Sequence, residues 1–276
     1  VTETLRSRLE ATTHGVPIAD DSRARRLDRP WYRYAESLLP PAESGTWLDL
    51  GCGQGEFLER AASMGLSGVG LDRSRDNARA TLAAKRPCLL ADLSQPLPFG
   101  DAAIAGASLI EVIEHVFDAE RLVAELARVI EPGGWLVLST PNVAHLTYRW
   151  RAITGHPPKQ EGYHLRFFTK RRLASLLEAA GFDRMGSASF GKQALLTKLL
   201  RLRRGGNAKF RYRVPYAAES LLAQHFVWKL KRSERASHLD RARATIHETR
   251  PDGDAHESDE ISRSPAPDAS PRASTP

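Results

Sequence analysis

Sulfur is scarce in this chain of 276 residues, with two cysteines and two methionines. Cys52 lies in a glycine-rich turn and Cys88 opens the apolar run Cys88-Leu89-Leu90-Ala91, expected as a short buried strand. Neither position suggests a disulfide, so a reducing compartment is the default reading. Long apolar runs are missing too; no stretch reaches the roughly 20 apolar residues that a membrane-spanning helix needs. The first residues, Val1 to Arg6, lack the apolar core of a secretory signal, and a cytoplasmic location is the expectation. No internal repeat is visible, which argues against a solenoid or a propeller.

Charge is plentiful and unevenly placed. Lys and Arg number 40 against 33 Asp and Glu, a formal net charge of +7. Arg23, Arg25, Arg26 and Arg29 precede the main domain, and a second basic region runs from Lys198 through Arg213 to Arg232. From Pro251 onward the chain is rich in Pro, Ser, Asp and Glu. The simplest reading of such charges is a solvated surface; the functional alternative is contact with anionic lipid, nucleic acid or an acidic glycan.

Apolar periodicity alternates between strand and helix. Strands are expected at 46–50, 66–71, 88–91, 103–110 and 135–140, with helices at 55–64, 77–86 and 119–130 between them. Helix 77–86 stops before Pro87, and Pro132-Gly133-Gly134 breaks the helix before the fifth strand. A helix at 169–180, a sixth strand at 182–190, helices at 194–202 and 217–222, and a seventh strand at 225–231 follow. This order predicts an α/β fold with a doubly wound, largely parallel sheet. The expected domain spans 31–232, after a basic extension at 1–30 and before a tail at 233–276 of the composition that resists packing.

The densest chemical signal is Trp47-Leu48-Asp49-Leu50-Gly51-Cys52-Gly53-Gln54-Gly55-Glu56. A short strand runs into a tight turn and a helix begins at once, so backbone N–H groups of the first helical turn face the crevice. The spacing is G-x-G-x-G with Asp49 in the strand, whereas a dinucleotide fingerprint is G-x-G-x-x-G with pyrophosphate over the helix. Asp49 would repel a pyrophosphate and could hold a cation. Asp72 ends the second strand about twenty residues past the turn, the offset at which a carboxylate accepts ribose hydroxyls. The competing role for Asp72 is a helix N-cap before Arg73.

From about Tyr32 to Lys231 the chain resembles the class I S-adenosylmethionine-dependent methyltransferases, whose first motif is close to D-L-G-C-G-x-G. The resemblance implies a seven-stranded Rossmann-like sheet with its last strand antiparallel and helical insertions. It implies S-adenosylmethionine as cofactor, with Asp49 and the turn Gly51, Cys52, Gly53 and Gly55 around the methionine moiety. Asp72 and Arg73 would flank the ribose, and Asp92 with the Leu93 backbone N–H the adenine. Residues 143–168 and 194–222 correspond to substrate-side insertions. Bacterial members of the broad group carry segments similar to Ser139-Thr140-Pro141-Asn142 and His164-Leu165-Arg166-Phe167-Phe168-Thr169.

Glu111-Val112-Ile113-Glu114-His115 is the second chemical signal. In a helical turn, positions 111, 114 and 115 would share one face. His115 could then be a general base for a substrate hydroxyl, with Glu111 also shaping the cofactor pocket. Alternatively Glu111, Glu114 and His115 could hold a divalent metal; a metal is not the favoured assignment. A similar E-x-x-E-H motif occurs in quinone-biosynthesis O-methyltransferases and in small-RNA 2′-O-methyltransferases; in the latter a further His completes a metal site, and that resemblance implies His164 as the fourth ligand here. Asn142 could meet substrate or cap the next helix.

The expected function is methylation of an oxygen on a small molecule, glycan or quinone-type precursor, with Glu111, His115 and His164 as candidate catalytic residues. The alternatives are a metal-dependent RNA 2′-O-methyltransferase and a cofactor-binding partner protein with little catalysis. The expected partner is a small-molecule acceptor rather than nucleic acid, and the basic helices within 194–222 offer a peripheral contact with anionic membrane.

Overall fold

In the strands at the centre of the sheet, apolar residues occupy both alternating faces, the pattern of parallel strands covered on each side by helices. Leu48 and Leu50 of β1 (Thr46–Leu50), Leu109 of β4 (Ile104–Ile110) and Leu136 and Leu138 of β5 (Ile130–Pro141) join one buried cluster. Trp47, Ile110 and Val137, one position along, belong to the opposite cluster. Period-two alternation thus divides the core into two layers.

The computed structural model describes residues 29–42, 45–156, 164–192 and 211–234, all within one compact unit. The remaining elements are α1 (Pro30–Glu36), α2 (Glu56–Ser63), β2 (Ser67–Asp72), α3 (Arg75–Ala83), β3 (Cys88–Leu90), α4 (Ala119–Val129) and α5 (Leu146–Ile153). They continue with α6 (Lys170–Ala179), β6 (Phe182–Ser187), β7 (Phe190–Lys192), β8 (Arg211–Arg213), α7 (Glu219–Leu222) and β9 (His225–Arg232). The sheet order is β3-β2-β1-β4-β5-β9-β7-β8, with β6 also pairing β9. Strands β1 to β5 pair in parallel, and β9 runs antiparallel to β5. The expected α/β sheet with an antiparallel last strand is therefore present, as nine segments rather than seven. The expected sixth strand is divided at Ala188-Ser189 into β6 and β7, and β8 adds a short partner to β7.

Three local differences have physical causes. The third strand was expected to be buried, but β3 is an edge strand that pairs only β2, so Leu89 and Leu90 are exposed. The fifth strand starts earlier than Pro132-Gly133-Gly134 suggested: Ile130 already pairs Ile104, and a register shift absorbs the break. The helix expected at 217–222 is a 3₁₀ turn, Tyr216–Ala218, leading into α7. Residues 1–28 of the basic extension, the helix expected at 194–202 and the tail beyond 234 lie outside the described residues. Among the described residues no helix is long and apolar enough to cross a membrane.

On one face α4 and α6 bury Leu122, Leu126, Leu173 and Leu177 against Phe226 and Trp228. On the other, α1, the turn after it and α2 bury Ala35, Leu38 and Phe57 against Phe190 and Val227. Helix caps match the local chemistry: Ser74, Asp118 and Thr169 accept hydrogen bonds from the backbone N–H groups of Asn77, Arg121 and Arg172. The carboxyl ends of β1, β2, β4 and β5 meet at one edge, where open α/β sheets bind ligands.

Candidate active site

The turn after β1 is held in left-handed backbone, with φ of +66° at Gly51, +58° at Gly53 and +81° at Gly55. A Cβ on Gly51 would come within 2.6 Å of Val112, so only glycine fits where the two segments touch. Gly53 donates its N–H to Asp72 Oδ2 at 2.9 Å, while Ser74 N–H reaches Asp72 Oδ1 at 2.8 Å. Asp72 thus anchors the turn, and the N-cap of α3 is Ser74. Cys52 packs over Gly70, and its Sγ lies 3.8 Å from Cys88 Sγ, both thiols being free.

Asp49 is enclosed beneath the turn. Trp47 Nε1 donates to Ser108 Oγ at 3.1 Å, and Ser108 Oγ donates to Asp49 Oδ1 at 2.6 Å. Burial, reinforced by the charges of Glu56 and Asp72, pushes the Asp49 carboxyl up to about 7 against the Ser108 hydrogen bond. Tyr32 of α1 stacks on Phe57 at 5.8 Å, and burial together with Glu56 and Asp49 raises its phenol well above the ordinary value. The crevice is therefore acidic and walled by an aromatic ring, suited to a ligand with a cationic head rather than to a phosphate.

The other candidate cofactor residues are placed unequally. Asp92 and Arg73 are exposed. Asp92 Oδ1 accepts from Ser94 N–H at 2.9 Å, and Leu93 packs on the core. Asp92 nevertheless stands at the same edge, because its neighbour Ala91 donates to the Asp72 carbonyl at 3.0 Å.

The segment after β4 does not form one helical face. Glu111 sits in left-handed backbone, φ +56°, ahead of the 3₁₀ turn Ile113–His115. Its carboxylate is held by Ser139 and His225 and is not among the converging atoms of Glu114, His115 and His164. Oε1 accepts from Ser139 Oγ at 2.7 Å, and Oε2 lies 2.9 Å from His225 Nδ1. Burial would raise this carboxyl, but the charge and contact of His225 and the Ser139 bond hold it below the usual range. The His225 ring also packs on Trp31 and Phe190, at 5.4 and 5.1 Å.

Glu114, His115 and His164 do come together. Each offers one ligand-type atom, and the three atoms lie within 4.8 Å of one another. The His115 and His164 rings meet edge to face at 4.9 Å. Glu114 is buried, with Oε2 accepting from Thr140 Oγ1 at 3.0 Å and Oε1 without a hydrogen-bond donor. Burial, then the charge of Glu111, push its carboxyl well above the usual range. The Glu114 carbonyl accepts from Leu165 and Arg166 N–H at 2.8 and 3.0 Å, which brings His164 alongside. Glu114, Pro141, Val143, Tyr148, His164, Arg166 and Phe167 line an open cleft. Residues 111–115 therefore connect the two sites: Val112 packs on the glycine turn and Glu114 lines the cleft.

Asn142 is not available to substrate. Its Nδ2 donates to the carbonyls of Glu219, Ser220 and Ala223, and its Oδ1 accepts from Ala144 N–H. Tyr32, Glu56, Ser108, Ser139 and His225 carry site contacts that sequence reasoning missed. Ser108 was detectable as a lone hydroxyl inside an apolar strand, and Ser139 as one of the two hydroxyls, with Thr140, that end the next. His225 had no such signal, because strand pairing alone delivers it to Glu111.

A family model described as "Methyltransferase domain" matches residues 23–184. A probable S-adenosylmethionine-dependent methyltransferase of Mycolicibacterium smegmatis is 33% identical over 142 residues, covering 49% of this chain and 51% of the relative. The mitochondrial ubiquinone biosynthesis O-methyltransferase of Bos taurus is 29% identical over 154 residues, covering 49% of this chain and 40% of the relative. The chain thus spans about half the length, or less, of these curated relatives. The crystal structure of an S-adenosylmethionine-dependent methyltransferase from Mesorhizobium loti superposes with a TM-score of 0.53 at 20% identity, over 75% of this chain and 100% of that one. That likeness shows a shared fold, and the family match covers more than half the sequence. With the acidic crevice over the glycine turn in view, the chain belongs to the class I S-adenosylmethionine-dependent methyltransferases.

Proposed function

We propose that this chain transfers a methyl group from S-adenosylmethionine to a hydroxyl of a small acceptor bound in the cleft beside Glu114 and His164. The observation that carries the reading is the His115–His164 pair, at 4.9 Å, next to that cleft. A neutral amine needs no base before it attacks, whereas a hydroxyl does, so imidazoles at the acceptor site favour oxygen. Two relatives point the same way in their names, the ubiquinone biosynthesis O-methyltransferase and an O-methyltransferase of Penicillium expansum.

The residues fit the cofactor. Asp49 and the turn at Gly51–Gly55 would take the methionine end, with its ammonium against the acidic floor; Asp72 would take the ribose and Asp92 the adenine edge. When bound, the cofactor supplies a methyl on a sulfonium, which leaves as a neutral thioether. The chain's own work is positioning and proton removal. His164 takes the hydroxyl proton as oxygen attacks, and half-exposed His115 passes it toward water. Glu114, favoured in its neutral form, accepts or donates a hydrogen bond to the acceptor through Oε1 without adding charge.

A second reading has its own observation: the converging atoms of Glu114, His115 and His164 could hold a divalent cation that lowers the hydroxyl pKa instead. The two separate experimentally. In the base reading, His164→Ala lowers turnover about 100-fold or more, leaves S-adenosylhomocysteine binding intact, and chelation changes nothing. Loss of turnover on chelation, restored by added metal, would move the assignment to the cation. Undiminished turnover in both His164→Ala and His115→Ala would remove the cluster from the reaction.

A further inference from the structure

Helix α5 carries Leu146, Trp150 and Ile153 at i, i+4 and i+7, so they form one stripe. None is covered: Leu146 is 51%, Trp150 65% and Ile153 77% exposed. No residue of this helix is buried, which is unusual for a helix whose Tyr148 lines a cleft. Tyr148, two residues from both Leu146 and Trp150, enters the cleft from the opposite side of the helix, so the stripe faces outward, away from it.

The charge beside this stripe has one sign. From 143 to 156 the sequence holds two cations, Arg149 and Arg151, and no Asp or Glu. Exposed Trp, Leu and Ile side chains interleaved with arginine suit the boundary between headgroups and acyl chains, where rings and aliphatic tips enter and guanidinium groups stay with phosphate. A protein partner would need a matching acidic apolar surface; an anionic bilayer supplies both properties at once.

We infer that the stripe Leu146–Trp150–Ile153, flanked on the same helix by Arg149 and Arg151, docks the chain on an anionic lipid surface. The inference is independent of the hydroxyl-acceptor reading, because docking can occur whatever is methylated.

The test is flotation of the full chain with vesicles of phosphatidylcholine, alone or mixed with phosphatidylglycerol. Binding to the anionic vesicles should exceed binding to neutral ones by about tenfold and fall as salt rises. The emission of Trp150, the tryptophan among the largely exposed apolar side chains, should shift to the blue on binding. Trp150→Ser combined with Ile153→Ser, and separately Arg149→Glu, should each cut anionic-vesicle binding about tenfold with S-adenosylhomocysteine affinity unchanged. Equal flotation with neutral and anionic vesicles, or full binding by both variants, overturns the inference. Lipid-free self-association that Trp150→Ser with Ile153→Ser abolishes would assign the face to a second copy of the chain and overturn it too.

Discussion

A carboxyl group enclosed among other carboxylates resists ionising, and Asp49 is in that position, with Glu56 and Asp72 as charged neighbours. In the unfolded chain an aspartate titrates near about 3.9, whereas in the fold Asp49 titrates at about 7. Between those values the folded state holds a proton that the unfolded state lacks. Stability without ligand is therefore greatest at the acid end of this window and declines as pH rises through it. A ligand with an ammonium group prefers the ionised carboxylate. Affinity for S-adenosylhomocysteine should rise from about pH 6 to about pH 8 and then level off. Titration calorimetry across that range checks this, and Asp49→Asn should bind more weakly and flatten the profile. A steep pH dependence retained by the Asn variant would show that another group sets it.

Among the elements, the junction of β5 and α7 depends on one amide. Asn142 supplies donors to three carbonyls of the segment Glu219–Ala223 and accepts from Ala144, fully buried. Removing it strands those carbonyls away from water, where each unpaired group is costly. Asn142→Ala should lower stability by about 2–4 kcal/mol, read from urea unfolding, and loosen the edge that presents Thr140 and Pro141 to the cleft. A change below about 0.5 kcal/mol, the size of a neutral surface substitution, would mean that water or a shifted backbone replaces the amide. In the same region Glu219 accepts from Trp228 Nε1 at 3.1 Å and from Ser187 Oγ, so β6, α7 and β9 share one buried polar node.

The molecule is built so that one apolar layer also closes the crevice over the glycine turn. Helix α1 and the turn after it pack Ala35, Leu38 and Leu39 into the cluster of Phe57, Phe190 and Val227, and from the helix Tyr32 reaches Phe57 and Trp31 reaches His225. Removing residues 1–37 would uncover that layer and open the crevice. The truncated protein should melt lower and bind S-adenosylhomocysteine at least tenfold more weakly, because a solvated wall weakens every charge contact inside. Differential scanning fluorimetry with and without ligand measures both. Unchanged ligand-induced stabilisation in the truncated chain would show that α1 serves the core alone.

How much of this could be read in one dimension follows from the range of each interaction. The glycine turn, Thr169 at a helix start, and the alternation in β1, β4 and β5 are set within a few residues, and each stands where periodicity and turn chemistry put it. Asp49 and Asp72 were legible for the same reason, as acids at the ends of strands beside a turn that needs glycine. The partners were not. Glu111 was expected beside Glu114 and His115, but a left-handed residue ahead of the 3₁₀ turn releases it to His225. Asn142 was open to two roles until β5 met the turn at Glu219–Ala223, and β3 read as buried because a sequence does not reveal which strand ends up at the edge. Local pattern therefore determined the elements and the glycine turn. Only the packed sheet decided which carboxylate faces which imidazole, because those pairings join residues that no local interaction relates.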